Sequence, residues 1–313
     1  MSDSVVTLAR LVVVGDVIDD IVVIPRGPIL ADTDTSAAIS RSAGGSGANT
    51  AAWLGHLGCA VDFVGALGAD GAEFHARALR DAGVTPHLVV VPDAPTGTIV
   101  IIVEGERRTM LTERGANDRL STRDVPDALF ESATALYVSG YSVTGALGIE
   151  GARDLMTRAR RARVSVALGS GSVGFLAELG PEKFRTLLST ADLFLVNRAE
   201  GALLTGQQEP TEIVMDLLRD VPLVVLTLGE RGALIASRRD GVMSIPVEPV
   251  DLVDPTGAGD AFAAGFLSNW ISSMDLERAG RAGAVVAAQA VTNPGARPTT
   301  VANLRAGTRP LTD

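Results

Sequence analysis

The sequence predicts an α/β fold: a doubly wound, mostly parallel sheet flanked by helices, with a small β-sheet lid. Three observations point there. From about residue 120 onward, strand-like apolar runs alternate with helix-length segments, the rhythm of right-handed βαβ units. The apolar share is 46% but the aromatic share only 4%, so Ala, Val, Leu and Gly must fill the core, as suits buried parallel strands between helices. Two more polar strand-like stretches, near 17–42 and 97–113, break the rhythm and read as one small sheet inserted at two places. At 313 residues the chain suits a single domain, 1–313, with that lid as its appendage.

The elements follow in order. Residues 11–14 are an apolar run ending at Gly15-Asp16, a buried first strand. Residues 21–24 and 35–42 are strand-like but more polar. A helix is expected over 48–57, a strand over 61–66 and a helix over 72–82, then strands near 87–91, 97–103 and 107–112. Strand 135–138 precedes helix 146–161, strand 164–168 a helix near 181–188, and strand 193–196 helices at 198–205 and 211–218. Strand 223–227 leads into a hairpin through 233–236 and 242–245, and helices over 258–271 and 276–291 close the core. The tail after Pro298 reads as a surface segment.

Composition narrows the function. The net charge of −10 describes an acidic surface that repels nucleic acid and anionic membranes. A lone cysteine, Cys59, allows no intrachain disulfide and fits a reducing compartment. With His56, His75 and His87 it cannot build an ordinary structural zinc site. The single lysine, Lys183, lies in Pro181-Glu182-Lys183-Phe184, so neither a P-loop nor the lysine of protein kinases is present. The N-terminal residues lack the progression of a signal peptide, and no apolar run reaches membrane-spanning length. A cytoplasmic protein is expected.

The strongest chemical signal is Asp254-Pro255-Thr256-Gly257-Ala258-Gly259-Asp260, followed by a helix whose Phe262, Phe266 and Trp270 share one face. Gly257 and Gly259 permit a tight turn and close approach of backbone to a ligand. The first helical N–H groups point outward at the positive end of the dipole, an anion hole that accepts phosphate without a lysine. Asp260 in that first turn reads either as a carboxylate satisfying the dipole or as a group that takes a proton. A second glycine-rich helix entry is Gly44-Gly45-Ser46-Gly47-Ala48-Asn49. It lacks the third glycine of a dinucleotide fingerprint, which disfavours an oxidoreductase.

These motifs, in this order and spacing, resemble the ribokinase-like carbohydrate kinases of the phosphofructokinase-B group over almost the whole chain. Gly15-Asp16 with Asp20 is similar to the family's first substrate loop and Gly115-Ala116-Asn117 to its second lid segment. Asn197-Arg198-Ala199-Glu200 is similar to its N-x-x-E, and Thr227-Leu228-Gly229-Glu230-Arg231-Gly232-Ala233 to its nucleotide-binding strand and turn. The resemblance implies an ATP-dependent kinase. Asp260 would be the catalytic base, and the backbone of Gly257, Ala258, Gly259 and Asp260 would stabilise the transferring phosphoryl group. Asn197 and Glu200 would organise Mg²⁺ and the phosphates through water, while Thr227, Gly229 and Gly232 shape the ATP site. Asp16, Asp20, Gly44, Gly45, Asn49 and Asn117 would hold the substrate. Carbonyls around Asp254 and Thr256 would bind a monovalent cation such as K⁺.

A carboxylate at a helix N-terminus is expected to be a weak base, tolerable if the proton leaves late. Three positions depart from ribokinase itself: Ser46 for a lysine, Ile18 for an asparagine, Tyr141 for a glutamate. Ribose is therefore disfavoured, and Tyr141 reads as either a stacking ring or core packing. Residues 104–108 read as a solvated turn. Arg114 is expected to point from the lid toward the site, pairing with an anionic substrate or with a lid carboxylate. A sugar or sugar-acid kinase and a nucleoside kinase remain open, with a catalytically silent sensor disfavoured by the intact Asp260, Asn197 and Glu200. The apolar lid strands suggest a homodimer through the lid.

Overall fold

The computed structural model describes residues 10–105, 107–273 and 275–298; the tail after Pro298 lies outside them. Strand β1 (Arg10–Val14) opens the main sheet, and β2 (Ile18–Pro25) and β3 (Ala37–Gly44) begin the lid. The chain returns through α1 (Ser46–His56), β4 (Ala60–Gly68), α2 (Ala72–Asp81) and β5 (Val84–Val91), then completes the lid with β6 (Gly97–Glu104) and β7 (Arg107–Glu113). The regular half follows: β8 (Ala135–Val138), α3 (Gly148–Arg161), β9 (Ser165–Gly169), α4 (Val173–Leu179), α5 (Pro181–Arg185), β10 (Leu193–Asn197), α6 (Arg198–Thr205), α7 (Pro210–Leu217) and β11 (Leu223–Thr227). The hairpin β12 (Ala233–Ser237) and β13 (Gly241–Ile245) precedes α8 (Ala258–Ser273) and α9 (Leu276–Val291).

The nine-stranded main sheet runs β13-β12-β11-β10-β9-β8-β1-β4-β5. It is parallel from β11 to β5, with the β12–β13 hairpin antiparallel at one edge. Side chains alternate between its faces. Leu11 and Val13 pack with α1, α8 and α9, whereas Val12 and Val14 pack with α3 to α7. This is the expected three-layer sandwich. Phe262, Phe266 and Trp270 are buried as the helical spacing predicts, with the two phenyl rings stacked at 6.5 Å.

The lid is a separate four-stranded sheet, β3-β2-β6-β7. Strand β2 pairs antiparallel with β3 and parallel with β6, and β6 antiparallel with β7. It rises directly from the end of β1, across the carboxyl ends of the main strands, where open α/β sheets bind ligands. The sequence reading missed α4, whose Val173–Leu179 lies between Gly171 and Gly180 and reads as loop by composition. No helix among the described residues is long and apolar enough to cross a membrane.

Candidate active site

Three cavities adjoin at the N-terminus of α8. The first, about 650 Å³, lies under the lid and is lined by polar Asp20, Asn49 and Asp260 and apolar Ile99, Ile101 and Phe175. The second, about 130 Å³, is bounded by Ser46, Tyr137, Ser170, Asn197, Glu200, Thr227, Gly259 and Asp260. The third, about 770 Å³, is an apolar slot between Val247, Val250, Leu252, Phe262, Ala287 and Val291. Asp260 is shared by the first two cavities, and Gly259 and Thr227 by the second and third. The arrangement suits an acceptor, a chain of phosphates and a nucleobase in a row.

The start of α8 is built as an anion site. Gly257 adopts φ +77°, and a Cβ there would stand 2.6 Å from the Ala296 carbonyl oxygen, so the turn requires glycine. A Cβ at Gly259 would meet nothing within 4 Å, so the space it would fill belongs to the cavities. Among the described residues, the amides of Ala258 and Ala261 have backbone acceptors while those of Gly259 and Asp260 have none. Two free donors at a helix N-terminus are what a transferring phosphoryl group needs.

Asp260 accepts hydrogen bonds from Ser46 Oγ at 2.7 Å and Asn49 Nδ2 at 3.2 Å. Displacement of water by the surrounding protein pushes its carboxyl up to about 7; the two hydrogen bonds pull the other way, and nearby Asp16 and Asp20 add to the rise. The low proton affinity expected from its place on the helix is therefore corrected: burial raises this carboxyl by more than its hydrogen bonds lower it. Asp20 is also raised, to about 6, chiefly by burial. Its carboxylate lies against Gly44, where a Cβ would approach within 2.1 Å. No hydrogen bond among the described residues reaches it, which leaves both oxygens for hydroxyl groups.

Several expected substrate ligands are committed elsewhere. Asp16 accepts from Ser46 N (2.8 Å), Gly47 N (2.9 Å) and Ser139 Oγ (3.0 Å), so its carboxylate caps the exposed amides of α1 while bordering the first cavity. Gly45, at φ +98°, lets the chain enter that cap. Asn117 receives Val17 N on Oδ1 and donates from Nδ2 to the carbonyls of Val17 and Arg114. These bonds brace the lid hinge, and Asn117 still borders the first cavity. Arg114 lines the first cavity but pairs with Glu178 Oε2 at 2.8 Å and lies 5.5 Å from the centre of the Phe175 ring. The partner sits on the unforeseen α4, so no unpaired lid cation demands an anionic substrate. Tyr141 leans on Phe175 at 5.6 Å.

Asn197 and Glu200 form a capping box at the start of α6. Asn197 Oδ1 accepts from Glu200 N, while Glu200 receives Asn197 N at 3.0 Å, Asn197 Nδ2 at 2.6 Å and a close contact from Ser170 Oγ. Burial raises the carboxyl of Glu200 and these donors oppose the rise. Thr227 ends β11, and the turn through Gly229 (φ +63°) and Gly232 (φ +79°) closes with Leu228 N donating to Gly232 O at 2.7 Å. Glu104, Gly105 and Arg107 are exposed, as a solvated turn requires, but Arg108 is engaged. Arg108 Nη1 reaches Asp254 Oδ1 at 3.0 Å and Thr256 Oγ1 at 2.7 Å, tying the lid to the anion-site loop and engaging the side chains expected beside a monovalent cation.

Comparison with known proteins decides the family. The model of the pfkB family carbohydrate kinases matches residues 8–302. This chain belongs to that family. It is 31% identical to the ribokinase of Mus musculus over 283 residues, 86% of this chain and 84% of the relative. The adenosine kinase structure from Sinorhizobium meliloti superposes with a TM-score of 0.84 at 24% identity, covering 96% of this chain and 98% of the other. A putative ribokinase II from E. coli, solved in complex with ATP and Mg²⁺, superposes with a TM-score of 0.81 at 20% identity, covering 92% and 94%. As a pfkB-type kinase the chain has the resemblance and the fold read from its motifs. Ser46 and Arg297 are among the residues around Asp260 that no sequence motif assigns to the site.

Proposed function

We propose that this kinase moves the γ-phosphoryl group of ATP to a hydroxyl of a sugar or nucleoside, with Asp260 as the base. The observation that carries this is the position of Asp260. It faces the acceptor cavity and the central cavity at once, one residue from a free backbone donor. The acceptor oxygen forms a bond to γ-phosphorus as the bond from phosphorus to the ADP oxygen breaks, and the hydroxyl proton passes to the Asp260 carboxylate. The Gly259 and Asp260 amides take up charge on the phosphoryl oxygens. The slot bounded by Val250, Leu252 and Phe262 suits the nucleobase.

Mg²⁺ carried on the phosphates would supply charge neutralisation. Asn197 and Glu200 border the cavity where it would sit, but protein donors occupy both Glu200 oxygens, which suits contact through water. Among the described residues, no cluster of three His, Cys, Asp or Glu side chains offers a direct set of ligands. At Asp254 and Thr256, Arg108 already brings a positive charge to the two side chains. A monovalent cation there would rely on backbone carbonyls alone. Such an enzyme would work in the cytoplasm, where ATP is supplied.

On the acceptor side, Asp20 presents unpaired oxygens to a polyol, while Ile99, Ile101, Met110, Tyr141 and Phe175 make the rest of that cavity apolar. The aromatic wall favours the nucleoside alternative over a small free sugar such as ribose. Release of ADP over a panel of sugars, sugar acids and nucleosides tests the function. Turnover of at least one hydroxylated acceptor is expected, and no ADP with any of them would overturn it. We also propose a homodimer through the lid, supported by exposed Ile24 and Met110 on one lid face and Ile39 and Leu111 on the other. Sedimentation at micromolar concentration should give a dimer, and a monomer would refute it.

A further inference from the structure

Arg297 lies in the loop after α9, outside every motif that the sequence singled out. That loop touches both glycine-rich helix entries. Gly295 N donates to Asp254 Oδ2 at 3.1 Å, and the Ala296 carbonyl accepts from Trp53 Nε1 on α1 at 3.0 Å. Arg297 itself donates from Nε to Asn49 Oδ1 at 2.9 Å and from Nη2 to the Gly44 carbonyl at 2.9 Å. Its Nη1 is buried without a hydrogen-bond partner. The carboxylates of Asp20, Asp260 and Asp16 hold its charge, and although burial lowers it to about 10 it stays protonated at neutral pH.

An asparagine amide has one accepting and one donating end, and a neighbour decides which way it faces. With Arg297 donating to Oδ1, Nδ2 of Asn49 is the end that meets Asp260 Oδ2. In the flipped orientation, Oδ1 would face the carboxylate and repel it. We propose that Arg297 is a positioning residue for Asp260: it fixes the amide of Asn49 toward the base and places a positive charge behind it. This rests on the proposed role of Asp260. The charged and titratable groups around the base then come from every side: Asp16 and Asp20 from the start of the lid, Tyr137 from β8, Glu200 from α6 and Arg297 from the terminal loop, with Ser46 and Asn49 donating from α1.

The decisive readout needs no substrate. The carboxyl carbon of Asp260 is followed by NMR through a pH titration of acceptor-free protein labelled with ¹³C-aspartate, the signal being assigned by its loss in Asp260→Asn. In Arg297→Met the titration should move to higher pH by roughly one unit, since a cation and an oriented donor are both lost. The kcat/KM for ADP release at pH 6 should fall about ten-fold, whereas a merely structural role would lower the melting temperature and leave the titration in place. If Arg297→Met does not fold, Arg297→Lys carries the test. It keeps a cation, loses the Nε bond to Asn49, and should move the titration upward by a smaller step. Unchanged titration of Asp260 in either variant, with native near-UV circular dichroism, overturns the proposal. A shifted titration in a protein that phosphorylates no acceptor would retain the link from Arg297 to Asp260 and remove the kinase reading instead.

Discussion

Lowering the pH from 8 to 5 should switch the kinase off through Asp260. Its carboxyl is raised to about 7 because the protein displaces water around it. The proton-accepting form is therefore present above that pH and lost below it. Two pH units below the midpoint, roughly one molecule in 100 keeps the ionised base, so protonation of Asp260 alone should lower kcat/KM about 100-fold from its plateau to pH 5. Asp20, raised to about 6, steepens the fall below pH 6, and Asp20→Asn should return the limb to a single ionisation. Initial rates of ADP release at subsaturating acceptor, in buffers of constant ionic strength, give the profile. Ser46→Ala removes the 2.7 Å donor to the carboxylate and should move the limb upward. The same ionisation acts on stability with opposite sign. A carboxyl whose folded value lies above its unfolded one opposes folding, at a cost that grows from about pH 4 to 7 and then stays constant. Asp260→Asn should thus gain stability over the wild type above pH 7, by roughly 4 kcal/mol at most, and gain none at pH 4. A flat kcat/KM between pH 8 and 5, or a limb near pH 4, would show that Asp260 is not held as described.

Two further substitutions separate the parts of the site. Gly259→Val places a branched side chain where a Cβ meets no protein atom; thermal unfolding should be unchanged while ATP affinity in calorimetry drops at least about ten-fold, and normal ATP binding would remove the anion site. Arg114→Ala breaks an ion pair with the exposed Glu178, a contact of the kind worth about 0–1 kcal/mol, so kcat/KM should change less than about five-fold and equally for neutral and anionic acceptors. A loss confined to anionic acceptors would restore Arg114 as a substrate ligand.

The fold was legible where a local pattern repeats. Apolar runs of strand length separated by helix-length segments place β8 to β11, and the i, i+4, i+8 aromatics place α8, because burial on two faces leaves a periodic trace. The exception is α4, bracketed by glycines and carrying no long stripe. The site was legible as motifs but less so as roles. Asp16 and Asn117 stand at the expected places, yet their polar atoms are spent on the backbone of α1 and of the lid hinge. A sequence shows that a carboxylate is near a helix entry but not which amides claim it. Arg114 stands in the acceptor cavity as expected, but its partner stayed open in the sequence because Glu178 sits on the missed helix. Arg108 and Arg297 were passed over because each acts 146 or 248 residues away, on Asp254 and Asn49. Contacts of that range leave no spacing to read. The rise of Asp260 also depends on burial assembled from chain segments far apart in sequence, whereas its place on the helix was visible and suggested the opposite direction.

Asp260 is the group proposed to take the hydroxyl proton. Turnover of wild type and Asp260→Asn should be compared under saturating ATP and acceptor, with ATP affinity measured on both proteins. The amide keeps the size of the carboxylate and cannot accept the proton. With Asp260 as the base, kcat should fall by roughly 100-fold or more while ATP affinity stays within about two-fold. Near-native kcat in a folded Asp260→Asn protein that binds ATP normally would contradict that role.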